Sequence, residues 1–204
     1  MTAPKTLPRV LIIPRSGATP EDDFYPWLSM SIKPSRMRPL GDPWVLDMPN
    51  PSRPQIKAWT DTILEAIARE PERPTLIVAH SLGVQALLRA LARAPESTYI
   101  LGALFVAGWW NIDKASPAIR PWLNDDIDWR IARFHLGPAR VLLSTDDPYT
   151  ADYASTAQRF TDWGADVVLE RRAKHFNRGE EPAVFREYVK LLAQVSQSPA
   201  ESLN

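Results

Sequence analysis

The segment from Thr75 to Arg93 constrains the fold most, because it predicts a strand, a sharp turn and a helix in immediate succession. Four apolar residues, Leu76 to Ala79, are typical of a buried strand. Ser81 follows in the pattern Ala-His-Ser-Leu-Gly, and a helix-like pattern begins at Leu82. A serine on such a strand-to-helix turn is typical of a nucleophile elbow, which lifts the hydroxyl above the end of a sheet.

Short apolar runs alternate with longer amphipathic segments along most of the chain. The predicted strands are 9–13, 44–48, 75–79, 101–107, 140–144 and 166–169, and the predicted helices lie near 24–31, 53–69, 82–93, 149–163 and 181–195. This alternation predicts an α/β fold with a mostly parallel sheet and helices on both faces. Ligands bind such sheets at the carboxyl ends of the strands, so the residues that follow each strand are the first candidates for a site.

An acid and a histidine follow the last two predicted strands. Asp146 and Asp147 come after 140–144, and His175 comes after 166–169. The chain order serine, aspartate, histidine is typical of α/β hydrolases and differs from the orders in chymotrypsin and subtilisin. Histidine is the residue type best suited to take a proton from a serine near neutral pH, and an aspartate would orient it. Both aspartates remain candidates for this carboxylate, since adjacent side chains leave a strand in different directions and only one of them would face the histidine.

Two backbone N–H groups are candidates for an oxyanion hole. The first is that of Leu82, at the start of the helix after the serine. The second is expected from the loop after the first strand, 14–17, with Ser16 as the favoured donor. Between the fourth and fifth strands, the irregular segment 109–134 is long enough for a lid or an active-site wall. The candidate residues for a substrate pocket are Arg15, Trp109, Trp110 and Phe176.

The other two histidines are less suited to catalysis. The His80 side chain is expected to point away from the cleft although it precedes Ser81, so packing or hydrogen bonding is favoured for it. His135 is also interpreted as structural.

The chain resembles the small serine hydrolases grouped with retinoblastoma-binding protein 9 and the YdeN-like proteins. The resemblance lies in the segments 9–14, 24–28, 46–51, 78–83, 144–148 and 175–176. It implies a compact α/β-hydrolase core with little or no cap, and a triad that matches Ser81, Asp147 and His175. Because the family pattern has a proline after the acid, it favours Asp147 over Asp146. The family often has glycine where this chain has Pro14-Arg15, and His-Trp where it has Asp23-Phe24.

Length and composition limit the classes of protein to consider. A chain of 204 residues predicts a single domain over 1–204, with a polar, frayed tail from about 194 to 204. A formal net charge of zero gives no reason to expect a nucleic acid or an anionic membrane as a partner. The absence of cysteine excludes disulfides, thiolate metal sites and a cysteine nucleophile. The chain has neither a membrane-spanning apolar run nor an apolar secretory core, so a cytoplasmic location is the default expectation.

The sequence therefore predicts a serine hydrolase, carboxylesterase-like, that cleaves a small ester, thioester or amide through an acyl-enzyme. It predicts a small-molecule acyl substrate, with no metal and no other cofactor, and leaves the oligomeric state open. One alternative is a non-catalytic binding protein of the same fold with a vestigial triad. The other is an acyltransferase.

Overall fold

A parallel sheet of six strands lies at the centre of the part of the molecule that the structure describes. This computed structural model describes residues 7–32, 43–124 and 127–197. The strands are β1 (Arg9–Ile13), β2 (Pro43–Val45), β3 (Thr75–His80), β4 (Gly102–Val106), β5 (Ala139–Ser144) and β6 (Asp166–Glu170). Their order is β2-β1-β3-β4-β5-β6, and every neighbouring pair is parallel.

The helices connect these strands. They are α1 (Tyr25–Ser31), α2 (Ile56–Ala68), α3 (Leu82–Leu91), α4 (Trp129–Phe134), α5 (Tyr153–Asp162) and α6 (Pro182–Gln197), with a short 3₁₀ helix at Arg120–Leu123. Within the described residues, the long connection from β4 to α4 forms only this 3₁₀ helix rather than a cap domain. None of the helices in the described ranges is both long and apolar enough to cross a membrane.

Several of the predicted boundaries differ from the structure; helix α2, for example, begins at Ile56 rather than at residue 53. Strand β2 ends at Val45 rather than at residue 48, although Leu46 and Met48 are still buried. Helix α5 begins at Tyr153 rather than at residue 149, because the Asp152 side chain accepts a hydrogen bond from a backbone N–H in the first turn. Helix α6 continues to Gln197, so it occupies the first residues of the predicted frayed tail, and 198–204 lie outside the described residues.

Alternate residues of each central strand face opposite layers, as the period of a strand requires. In β1, Leu11 and Ile13 belong to a core that includes residues of α2, α3, α4 and α5. Val10 and Ile12 belong to a second core that includes residues of α1 and α6. Because helices cover both faces, the α/β prediction is confirmed.

The carboxyl ends of β1 and β3 form the switch point of the sheet. Strand β1 lies between β2 and β3, so the chain leaves β1 towards one edge and leaves β3 towards the other. A crevice forms where the connections diverge in this way, and α/β proteins bind ligands there. The start of α3 packs closely against this end of β1, because a Cβ atom on Gly83 would lie 2.7 Å from the carbonyl oxygens of Ile13 and Pro14.

Candidate active site

Ser81 adopts a strained backbone conformation between β3 and α3. Its φ of 52° and ψ of −115° are unfavourable for a residue with a side chain. Two hydrogen bonds hold the turn: the Ser81 N–H donates to the Val106 carbonyl at 2.8 Å, and the Ser81 carbonyl accepts from the Val84 N–H at 3.0 Å. This is the geometry of a nucleophile elbow, the turn that the sequence pattern around Ser81 predicts.

Ser81, His175 and Asp147 form a continuous chain of hydrogen bonds. His175 Nε2 lies 2.8 Å from Ser81 Oγ, and His175 Nδ1 lies 2.8 Å from Asp147 Oδ2. An ionised carboxylate only accepts, so Nδ1 bears the proton and Nε2 is free to accept from the serine hydroxyl. All three residues are buried, although they are far apart in the sequence. The arrangement places an imidazole nitrogen within hydrogen-bond distance of the serine hydroxyl.

The neighbouring carboxylate of Asp146 faces other groups. It accepts from Ser144 Oγ at 2.7 Å and from the Lys174 N–H at 3.0 Å, and it pairs with Lys174 Nζ at 3.1 Å. The Ser144 hydroxyl, followed by the Lys174 N–H, lowers the pKa of Asp146 to about 2. The structure thus brings Asp147, and not Asp146, to the histidine, while Asp146 fixes the loop on which the histidine lies.

The hydroxyl of Ser81 faces a cavity of about 270 Å³. The lining residues are Arg15, Ser16, Ser81, Leu82, Trp109, Ile112, Ile119, Tyr149, His175 and Asn177. The Tyr149 ring covers the imidazole edge-on, with its centroid 4.7 Å from that of His175. The lining includes the apolar side chains of Trp109, Ile112 and Ile119 as well as polar side chains.

The two candidate oxyanion donors, Leu82 and Ser16, both line this cavity. The N–H of Leu82 belongs to the first turn of α3, where backbone donors have no partner within the helix. The residues on either side of Ser16 are fixed: the Arg15 N–H donates to Tyr25 Oη at 2.9 Å, and the Gly17 N–H donates to the Pro51 carbonyl at 2.7 Å. These bonds restrain the direction of the intervening Ser16 N–H.

Arg15 and Asp23 stand at the two positions where the sequence departs from the pattern of the family it resembles, and they form an ion pair. Arg15 Nε lies 2.7 Å from Asp23 Oδ2, and Nη2 lies 3.1 Å from Oδ1. Burial lowers the pKa of Arg15, but the hydrogen bond and charge of Asp23 outweigh it and raise the pKa. The guanidinium that borders the cavity is therefore already neutralised by a carboxylate.

Two of the residues that the sequence proposed for the pocket lie elsewhere. Phe176 is fully buried in the core beneath α1 and α6. Trp110 packs edge-on against Trp129, with the Arg159 guanidinium over its ring. Trp109 lines the cavity, whereas Trp110, its neighbour in the same irregular segment, does not.

Four lining residues were not singled out in the sequence: Ile112, Ile119, Tyr149 and Asn177. The two isoleucines belong to the irregular segment that was interpreted as a lid or an active-site wall, but nothing in the pattern of that segment distinguishes them. Tyr149 and Asn177 each lie two residues after a candidate triad member, and this closeness in the sequence could have indicated that they border the site. Within the described ranges, no group of three or more histidine or carboxylate residues is placed to hold a metal ion.

Comparison with known proteins identifies related hydrolases. The profile of a family described as "Serine hydrolase" matches residues 24–194. The putative hydrolase YdeN of Bacillus subtilis is 32% identical over 101 residues, a match that spans half of this chain and half of that protein.

Solved structures share the fold. The crystal structure of the Bacillus subtilis ydeN product superposes with a TM-score of 0.77 at 20% identity, over 92% of this chain and 100% of the other. Naproxen esterase (carboxylesterase NP) of Bacillus subtilis gives a TM-score of 0.59 at 13% identity, over 92% and 84% of the two chains. Since the family profile covers most of the chain, this protein belongs to the serine hydrolase family.

Proposed function

We propose that this enzyme hydrolyses small carboxylic esters, or the related thioesters and amides, through an acyl-enzyme on Ser81. In this proposal His175 is the general base and Asp147 orients it. The observation that supports the proposal most strongly is the unbroken chain from Ser81 Oγ through His175 to Asp147, with 2.8 Å at each step. At its Ser81 end, this chain of hydrogen bonds reaches a cavity that the two candidate oxyanion donors also line.

The proposed reaction has two halves. In the first, Ser81 Oγ bonds to the acyl carbon while its proton passes to His175 Nε2, and the proton then goes to the departing alkoxide. In the second, water attacks the acyl carbon and gives a proton to the same nitrogen. The bond between the acyl carbon and Ser81 Oγ then breaks, the proton passes from His175 Nε2 to Ser81 Oγ, and the acid leaves. The oxyanion formed in each half would accept from the N–H groups of Leu82 and Ser16. Loss of one such donor typically lowers turnover by about 100- to 1,000-fold.

The cavity supports a small, uncharged acyl group. Its volume of about 270 Å³ is small, and Trp109, Ile112 and Ile119 give it an apolar wall. A carboxylate-bearing substrate would have to compete with Asp23 for the Arg15 guanidinium. We therefore expect short aliphatic acyl groups to be preferred to long or anionic ones.

Hydrolysis of p-nitrophenyl acetate, butyrate and octanoate tests this function. The wild type should turn over the two short esters faster than the octanoate, with a burst of p-nitrophenol if deacylation is slow. Ser81→Ala should lose at least about 10⁴-fold in kcat, because the other triad members cannot act without the nucleophile. Ser155→Ala, an exposed serine on α5, is the matched control and should behave as wild type. A folded wild type that cleaves none of these esters would contradict the proposal.

A further inference from the structure

His80 is fully buried between two parts of the active site. Its Nδ1 lies 2.8 Å from the Tyr25 hydroxyl, and its Nε2 lies 2.8 Å from the backbone carbonyl oxygen of His175. It also precedes Ser81 directly in the chain. One side chain thus contacts the backbone of the proposed base and adjoins the proposed nucleophile.

The partners of His80 determine its protonation state. A carbonyl oxygen only accepts, so Nε2 carries the proton. Burial, and next the nearby His175 ring, hold the pKa of His80 well below its ordinary value, so the ring is neutral and Nδ1 is an acceptor. The Tyr25 hydroxyl must therefore donate to Nδ1, which leaves its oxygen free to accept from the Arg15 N–H at 2.9 Å. The bonds run in one direction, from the loop after β1 to the backbone of His175.

The loop that holds His175 requires such anchors. Arg172, Lys174 and Phe176 have φ values of 59°, 53° and 52°, in the left-handed region that residues with side chains avoid. Strained segments of this kind persist only where surrounding contacts fix them. The Asp146 carboxylate holds the Lys174 N–H at 3.0 Å, and His80 holds the next carbonyl, that of His175 itself.

We propose that His80 is a positioning residue for hydrolysis, which ties the backbone of His175, through Tyr25, to the loop that presents the Ser16 N–H. The inference rests on the proposed function and extends it. In this account, the base and the oxyanion loop keep a fixed separation because both are bonded to a pair of buried side chains. Neither Tyr25 nor His80 exchanges a proton with the substrate.

His135 provides a matched control for a role in stability alone. It is also buried, and its Nδ1 lies 2.8 Å from the Thr98 carbonyl oxygen. It precedes β5, at the amino end of the sheet and away from the cavity. Replacing either histidine with phenylalanine removes a buried imidazole and its hydrogen bond to a carbonyl oxygen, so both replacements should lower the melting temperature. Only the replacement of His80 should change the chemistry.

The experiment compares His80→Phe, His80→Gln, Tyr25→Phe and His135→Phe with the wild type. Titration with a fluorophosphonate counts competent active sites, so kcat for p-nitrophenyl acetate is expressed per labelled site and separated from any loss of folded protein. We expect His80→Phe to lower kcat per site by about 10- to 100-fold with little change in KM, since a small displacement of a reacting group has that effect. His80→Gln, whose side-chain amide can still donate to the His175 carbonyl, should recover most of the loss. Tyr25→Phe should lower kcat per site as well, and His135→Phe should not.

The outcomes separate the possible failures. If His80→Phe keeps the kcat per site of the wild type, His80 has only a structural role and the inference is wrong. If Tyr25→Phe keeps it while His80→Phe loses it, the link to the oxyanion loop is wrong. If His80→Phe does not fold, Tyr25→Phe makes the same test with the loss of a single oxygen atom. Failure of the wild type to react with the fluorophosphonate would instead contradict the proposed function.

Discussion

Asp146 and Asp147 are neighbours in the chain, yet their side chains leave β5 in different directions and bind different groups. Asp147 contacts His175 Nδ1, whereas Asp146 contacts Ser144 and Lys174. This difference assigns them different roles, and single amide substitutions can separate the two.

We expect Asp147→Asn to lower kcat by about 10⁴-fold, because an amide N–H facing Nδ1 would favour the wrong imidazole tautomer. Steady-state kinetics with p-nitrophenyl acetate measures this, and Asp146→Asn is the control that changes the adjacent carboxylate in the same way. A larger loss in Asp146→Asn than in Asp147→Asn would reverse the assignment.

Asp146→Asn should instead affect the dependence of stability on pH. The pKa of Asp146 in the folded protein is about 2, below its ordinary value of 3.8. A carboxyl group with a lowered pKa stabilises the fold above the ordinary value, and this contribution disappears as the pH falls through the folded value. The melting temperature of Asp146→Asn should therefore be lower than that of the wild type at pH 7, and the difference should shrink below pH 3.8 and be largely lost at about pH 2. A difference that is the same at both pH values would contradict this account.

The sequence predicted the three triad candidates because each residue follows a predicted strand and belongs to a recognisable pattern. It could not choose between Asp146 and Asp147 on the residues alone, since the choice depends on how the chain twists as it leaves β5. It also favoured packing or hydrogen bonding for His80 without naming its partners. Tyr25 and the His175 carbonyl reach that ring only through tertiary contacts.

At the scale of elements, the close contact between α3 and β1 determines where Ser81 lies. Gly83→Ala should destabilise the protein by about 1–3 kcal/mol, because the added Cβ would lie 2.7 Å from two backbone carbonyl oxygens that cannot move independently. Urea unfolding followed by circular dichroism measures the loss. Gly179→Ala is the control, since a Cβ there would meet no atom within 4 Å. Equal stability of the two variants would contradict the proposed packing.

The predicted elements agree with the structure in type and order, because apolar residues recur at a regular spacing within each of them. The sequence prediction missed helix α4, which lies within the segment 109–134 that was interpreted as irregular. The other errors lie at boundaries where packing and hydrogen bonding diverge. Leu46 and Met48 extend the apolar pattern of β2 and are buried, but the strand ends before them. The polar C-terminal sequence does not mark the end of α6, where Val195 still packs against the second core.

At the scale of the whole molecule, segments far apart in the sequence meet at the switch point of one sheet. Ser16, Ser81, Asp147 and His175 follow four different strands, and their meeting depends on the strand order. The sequence predicted that these strand ends share one edge of the sheet. It could not provide the distances between them, because those depend on twist and on side-chain packing.

We also propose that the chain folds as a single domain, since the two core layers share every central strand. Urea unfolding should then show one transition, with coincident midpoints for tryptophan fluorescence, circular dichroism and fluorophosphonate labelling. The eight tryptophans report on many parts of the fold. Separate midpoints for fluorescence and circular dichroism would indicate more than one folding unit.

The most direct test of the account is the position of a fluorophosphonate adduct, mapped by mass spectrometry of peptides from the labelled protein. We predict one adduct, on Ser81, that is absent from Ser81→Ala and from protein denatured before labelling. An adduct on another residue, or undiminished labelling of Ser81→Ala, would contradict the claim that Ser81 is the nucleophile.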